Sequence, residues 1–413
     1  MIRNLLLVLF IGMMGSRALG LDLGLAPGIS IKNAMLYLTA SVIVIDSAIA
    51  HNRKVELLPV IIPFALLILY ALMTWLVTVL FLDNPYYAVL STLIRLKTKL
   101  IDQFLMLLVF FYGVANWKDA LWLLKALIWV VVIGCLITIV DTFNIPDLGI
   151  VGARGKDGRV EGIIESAQDF GGLLAFCLPV MIALWWTDIR KRKLLALAGI
   201  GLTLVSIMLS ASRGAMLGIA AGAILAAIYL RQFMSATILL RTTTAVLLFI
   251  AIALLVVLST DFGYLLETRL STGLATGDVE TMSSGRTAIW SAALREMANY
   301  PISFVTGLGW EAYYQTIGHR YATHSIYLDR FYNLGVIGLA LFVLGFVNAV
   351  AIVRSGLDRC PKEAAPFLIA TVIGMISFMI AMAFSDIHGA ATYVWAFIGL
   401  ALRIAVAVPA KRD

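Results

Sequence analysis

Five residues carry most of the chemistry open to this sequence. Arg213 stands in the tight turn Ser210-Ala211-Ser212-Arg213-Gly214-Ala215 between two apolar runs, and Arg286 lies in Ser284-Gly285-Arg286-Thr287-Ala288-Ile289-Trp290. Arg154 and Arg159 are five apart in a polar, Gly-rich segment, and His324 heads the stretch His324-Ser325-Ile326-Tyr327-Leu328-Asp329-Arg330. Guanidinium forks stabilise charge developing on departing phosphates, and an imidazole with an ordinary pKa of about 6.5 takes a proton near neutrality. Arginines converging on a dianion beside one histidine therefore suit transfer from a diphosphate leaving group.

Each residue also has a plainer use. An arginine at membrane depth costs at least about 2.5 kcal/mol; a bound anion offsets that for Arg213, and so does snorkelling to lipid phosphates. Arg286 on a surface helix equally suits lipid head groups, Arg154 and Arg159 equally suit solvated loop charges, and His324 equally suits local hydrogen bonding. Arg269, Arg295 and Arg320 read as surface charges and His319 as a locally bonded histidine, while Asp386 and His388 share the last outer turn. Asp329 and Arg330 read as a local ion pair as readily as a catalytic one. A metal could neutralise phosphates instead. However, the chain has no Asp-x-Asp, the nearest approach being Asp278-Val279-Glu280, and no His/Cys cluster with ligand spacing. The expected site uses neither metal nor cofactor.

The elements that must position these groups are membrane spans. Of 413 residues, 62% are hydrophobic and 13% charged, with a mean hydropathy of +0.98, far beyond what a soluble core needs. Runs long enough to cross about 30 Å of hydrocarbon fall at 3–20, 34–50, 57–82, 99–116, 119–140, 170–187, 194–211, 214–231, 237–260, 331–353, 366–386 and 390–408. The sequence predicts an all-α polytopic integral membrane protein of about twelve transmembrane helices forming one domain over 1–413. The first run, with Arg3 before it and Arg17 within its tail, reads as a retained helix in preference to a secretory signal.

Lys and Arg collect in short cytoplasmic loops. With the N-terminus inside, the basic groups at 51–56, 190–193, 231–241, 354–362 and the C-terminal end all face the cytoplasm. Arg95, Lys97 and Lys99 are the exceptions, assigned to the outer side as snorkelling caps. The net charge of +7 then reflects topology and contact with membrane lipids, with no nucleic-acid footprint. Cys135, Cys177 and Cys360 have neither disulfide nor metal spacing.

Two long outer loops follow, 141–169 and 261–325, the second immediately before the tenth span. Ile289, Ala293 and Met297 recur at helical spacing and Pro301 ends the segment, which predicts a short amphipathic helix on the outer membrane surface. On that side no nucleotide sugar is supplied, so a transferase there needs a donor carrying its own activated leaving group. A sugar chain on a polyprenyl diphosphate meets that need.

The stretch from His324 resembles the O-antigen ligase and polymerase superfamily of bacterial inner-membrane glycosyltransferases. The ligase pattern is His, then Asn, Ser or Gln, nine residues, Gly, two residues, then Gly, Thr or Tyr; here it falls on His324, Ser325, Gly335 and Gly338. Ser212-Arg213-Gly214 and the segment from Ser284 to Trp290 are similar to the family as well. The resemblance implies a GT-C-like fold with a periplasmic site in the inner membrane. It also implies that a lipid A core sugar hydroxyl attacks the anomeric carbon of an undecaprenyl-diphosphate-linked O-antigen, inverting it without metal or ATP. Carried over, His324 is the base, Arg213 and Arg286 contact the diphosphate, Arg154 and Arg159 support them, and Asp386 orients the histidine. Gly335 and Gly338 are expected to let another helix approach closely.

Two other readings stand beside this one. A polymerase of the same superfamily uses the same donor, although its Arg, ten residues, Gly spacing is not found from any outer arginine. A polysaccharide transporter or flippase predicts internal symmetry and mid-membrane ionisable groups, for which Asp46 and Lys125 are the intramembrane exceptions.

Overall fold

A computed structural model describes residues 2–15, 24–26, 28–49, 58–81, 87–143, 159–164, 166–187, 190–229, 285–315 and 322–407, with isolated positions between 232 and 255. Its helices are α1 (Ile2–Met14), α2 (Ile31–Ile49), α3 (Ile61–Phe81), α4 (Val89–Leu96), α5 (Asp102–Tyr112), α6 (Trp117–Thr142), α7 (Ala167–Thr187), α8 (Arg190–Ser210) and α9 (Arg213–Tyr229). Within the second long loop lie α10 (Arg286–Ala298), α11 (Ser303–Thr306) and α12 (Ala312–Gln315), and after it come α13 (Ile326–Gly356), α14 (Ala365–Met382) and α15 (His388–Ala407). Before α2, Gly24–Ala26 and Ile29–Ser30 pair as a short antiparallel ribbon.

The helices fall on the expected apolar runs except at 237–260, which lies almost wholly outside the described residues. Among the described residues, seven helices are long and apolar enough to cross a membrane: α3, α6, α7, α8 from Lys193, α13, α14 and α15. The chain is thus an all-α, multi-pass membrane protein. Large side chains such as Leu69, Leu80, Ile133, Leu194 and Val347 stay exposed, as lipid-facing helices require. One apolar core runs through the bundle, with α14 packed on α9 and α7, α15 on α5 and α6, and α13 on α3.

Close backbone approach fixes where the outer ends of these helices sit. A Cβ on Gly218 would lie 2.5 Å from the Ser377 carbonyl oxygen, and one on Gly222 would lie 2.3 Å from Ser377 Oγ. Glycines spaced four apart thus let α9 lie directly on α14, as small residues do in lipid. The contact carries Arg213, at the head of α9, to the turn after α14 that contains Asp386.

The expected tenth span is bent. Gly335 interrupts α13 with φ 63° and ψ −167°, a conformation that glycine alone adopts without strain. Tyr327 and Phe342 are fifteen positions apart, or about 22 Å along a straight helix, yet their ring centroids are 6.3 Å apart. The part of α13 before Gly335 therefore folds over the membrane-length part that follows. The freed carbonyls of Tyr332 and Asn333 accept from Leu308 N (2.9 Å) and Gly309 N (3.0 Å).

Of the two motif glycines, Gly335 meets another helix closely, and Gly338 does not. The element pressed on Gly335 is the short helix α11 and the Gly307 that follows it, with the Val305 carbonyl oxygen 2.2 Å from where a Cβ would stand. At Gly338 the neighbour is the Leu334 side chain of the same helix, brought close by the bend.

α10 also departs from expectation. Its Ala293 and Met297 are fully buried, but against Tyr313, Tyr332 and Phe304 of the protein, where a small second core forms. Its apolar face is covered by the outer layer and is not turned to lipid, because the bend in α13 supplies aromatic side chains for it to pack on.

Candidate active site

The site is assembled at helix beginnings. Arg213 is the first residue of α9, Arg286 the first of α10, and His324 precedes the Ser325 cap of α13, whose side chain accepts from Leu328 N. Helix N-termini carry partial positive charge from aligned N–H groups and favour anions. α10 begins at Gly285, which makes no side-chain cap. The short segment at Arg159 is pinned beside the Arg213 turn by Val160 N donating to Leu209 O at 3.3 Å. Arg154 lies outside the described residues.

Arg159, Arg213, Arg286, His324 and Asp386 meet electrostatically. Burial lowers the affinity of Arg286 for its proton, and the charges of Arg213 and Arg159 lower it further against the pull of Asp386. Burial likewise pushes the His324 imidazole below its usual value; Asp386 opposes this, and Arg286 and Arg159 reinforce it. The imidazole is accordingly neutral at pH 7, the state a base must have. The arrangement concentrates positive charge in a partly enclosed space beside a neutral histidine, suited to receiving an anion and a proton together.

Backbone strain gathers at the same place. Among the described residues, Ala211, Glu311 and His324 are the non-glycine positions with positive φ, at 45°, 59° and 52°. Such strain persists only where surroundings over-determine it. For His324 the surroundings are clear: its amide donates to Asp386 Oδ2 at 3.2 Å, Thr323 Oγ1 donates to Asp386 Oδ1 at 2.9 Å, and Trp290 Nε1 of α10 donates to Thr323 O at 2.8 Å. Asp386 thus holds the main chain of the histidine, and its influence on the imidazole is through space.

Behind this lies a set of residues that the sequence reading missed. Glu311, fully buried, accepts from Lys99 Nζ at 2.7 Å and from Arg95 Nη1 at 3.0 Å. Burial alone would raise its carboxyl, but Lys99 and Arg95 outweigh burial and hold it below the ordinary value. Both cations also lie on the Tyr314 ring, 4.7 and 5.0 Å from its centroid, and Tyr314 Oη donates to Asp386 Oδ2 at 3.2 Å. Lys97 pairs with Asp102 at 2.8 Å, across a π-helical turn at Lys97–Ile101 that brings positions five apart to one side. The three outward basic residues are therefore ion-paired inside the protein, a correction to their reading as snorkelling caps. The available signal was Arg95 and Lys99, one helical turn apart, on the side that topology keeps free of cations.

Asp329 and Arg330 are both buried and pair at 3.3 Å; Asn333 Nδ2 donates to Asp329 Oδ1 at 2.9 Å, and the Arg330 guanidinium lies 5.2 Å from the Trp310 ring. They fasten the outer layer to the bent helix. The enclosed Nε2 of His388 makes no hydrogen bond, and the carbonyl of His388 accepts from Gln103 Nε2 at 3.0 Å. Arg295 is exposed and reaches Ser291 Oγ, a surface charge as expected. Arg269, His319 and Arg320 lie outside the described residues. Among the described residues there is no His, Cys, Asp and Glu grouping that could hold a metal ion.

No curated protein matches the chain. Residues 198–343 match a family model described as O-Antigen ligase, a stretch that runs from α8 through Arg213, Arg286 and His324 to beyond the bend in α13. That match covers 146 of the 413 residues, and over that stretch the chain is similar to the O-antigen ligase family, whose members are in general glycosyltransferase-like ligases or polymerases working on lipid-linked polysaccharide.

Proposed function

We propose that the protein is an O-antigen ligase: a metal-independent, inverting glycosyltransferase at the periplasmic face of the bacterial inner membrane. It moves O-antigen polysaccharide from undecaprenyl diphosphate to a sugar hydroxyl of lipid A core. The observation that carries this reading is the placement of Arg213 and Arg286 each at the head of a helix, with the Arg159 segment bonded to the end of α8 beside Arg213 and His324 held by Asp386.

The acceptor hydroxyl oxygen attacks the anomeric carbon from the face opposite the diphosphate. A new carbon–oxygen bond forms as the bond to the phosphate oxygen breaks, and its electron pair leaves with the diphosphate. The hydroxyl proton passes to His324. Arg213 and Arg286 stabilise the departing charge, with Arg159 in support and Arg154 assigned alongside it. Binding of the donor places negative charge among the arginines that depress His324, so its affinity for a proton rises when the hydroxyl must be deprotonated. Inversion follows from a single displacement with no protein nucleophile. An apolar cleft lined by Phe64, Leu107, Phe342 and Trp395 also includes Gln103, which bonds the carbonyl of His388 two residues beyond Asp386.

The test combines purified protein with polyprenyl-diphosphate O-antigen, with and without lipid A core, in the absence of nucleotide and divalent metal. Sugar appearing on lipid A core with native protein and not with His324→Ala supports the ligase. A lengthening ladder on the polyprenyl lipid makes the protein a polymerase, and no turnover in either arm removes the reading.

A further inference from the structure

We infer that Tyr314 and Glu311 are positioning residues for His324, acting through Asp386 to lock the histidine main chain in its left-handed conformation. The inference rests on the proposed catalytic role of His324, but its structural part can be read without activity. Asp386 has two oxygens and three donors: Tyr314 Oη and His324 N at Oδ2, each at 3.2 Å, and Thr323 Oγ1 at Oδ1, at 2.9 Å. His324 keeps φ 52°, which a non-glycine residue holds only when its neighbours fix it. The amide bond to Asp386 is the fixing contact, and the Tyr314 hydroxyl sets where that carboxylate oxygen stands.

Tyr314 is itself held from the opposite side. Its ring lies 5.0 Å from the Arg95 guanidinium and 4.7 Å from the Lys99 ammonium, and both cations are bonded to Glu311, three residues before Tyr314. One carboxylate thus gathers two cations from the α4–α5 helix onto one tyrosine ring. Glu311 is strained as well, at φ 59°. Two left-handed residues, thirteen positions apart, are joined end to end by Tyr314 and Asp386, so the N-terminal half of the bundle sets the backbone of the proposed base. A charge pair that only fastened the loop would not need an aromatic ring between its cations and the carboxylate that holds His324.

The decisive variant is Tyr314→Phe, which keeps the ring on both cations and removes only the donor to Asp386. Amide hydrogen exchange of the full-length protein in detergent should show the His324 amide exchanging about tenfold faster, the loss of one hydrogen bond's protection. Turnover with polyprenyl-diphosphate O-antigen and lipid A core should fall about tenfold in kcat with KM for the donor unchanged, because the base is displaced while the arginines are not. Combining Tyr314→Phe with Glu311→Gln should lower kcat little beyond the single tyrosine variant, since both act through one atom. Unchanged exchange at His324 overturns the lock. Faster exchange with unchanged kcat overturns its catalytic consequence. Absence of turnover by native protein removes the ligase reading, and the exchange result still decides the lock.

Discussion

Two groups of basic residues in this protein stand in contrasting surroundings. Arg95, Lys97 and Lys99 each meet an acidic side chain within 3.0 Å, Glu311 or Asp102, both of them buried. Arg159, Arg213 and Arg286 instead press on one another, with Asp386 opposing them while it accepts from Tyr314, Thr323 and the His324 amide. In the first group each cation satisfies an acid that would otherwise be costly to bury, so its work is finished in the folded chain. In the second the folded chain brings like charges near one another, an arrangement that favours an anionic ligand. Cations on the side that topology disfavours are thus not of one kind, and the partner of each decides whether it fastens the fold or receives a ligand.

Substitutions can break or sharpen this contrast. The largest effect is expected from His324→Ala: transfer should fall about 10²–10⁴-fold, the usual worth of a general base, while donor binding measured by equilibrium titration survives. Loss of binding with chemistry intact would reverse that assignment. Next, Arg213→Ala or Arg286→Ala should reduce transfer about 10²–10³-fold and weaken donor binding too, with thermal unfolding in detergent nearly unchanged. Glu311→Gln should do the reverse to stability, costing about 3 kcal/mol, at the low end for a broken buried pair because Arg95 is 40% exposed. If Arg286→Ala destabilises as much as Glu311→Gln, the two groups are not different in kind.

A smaller loss, about 1–3 kcal/mol from backbone strain, is expected for Gly335→Ala, where the Val305 carbonyl blocks the new methyl; unfolding midpoints would measure it. The smallest effect is a shift in pH dependence. His324 must be deprotonated to act, and burial, Arg286 and Arg159 lower its pKa while Asp386 raises it. The acidic limb of kcat/KM should therefore lie below pH of about 6.5, the ordinary imidazole value. Arg159→Ala removes a lowering influence and should move the limb to higher pH. Asp386→Asn removes the raising one and should move it lower. A limb that ignores both variants belongs to some other group.

The spans were legible because hydropathy is a local property. Each run of some twenty apolar residues announces its own helix whatever its neighbours do, and the outer turns carrying Arg213, Arg286 and His324 follow from where those runs stop. The 3.6-residue period that predicts α10 is local too. Its partner is not: whether Ala293 and Met297 face lipid or protein depends on Tyr313 and Tyr332, and on a bend in α13 that a glycine permits but does not compel. The motif glycines showed the same limit, since Gly335 was visible as a small residue while its φ of 63° and its contact with α11 were not.

By itself, then, the sequence determined the membrane-spanning helical architecture and the residue types at the outer helix ends, because these depend on composition within a single turn or span. Only the tertiary structure decided which charges meet a buried acid and which gather near His324. Lys99 and Glu311 are 212 positions apart, and Thr323 and Asp386 are 63 apart. No local pattern encodes such meetings. They arise when α9 settles on α14 and the start of α13 folds over its own span, bringing together groups that the chain keeps far apart.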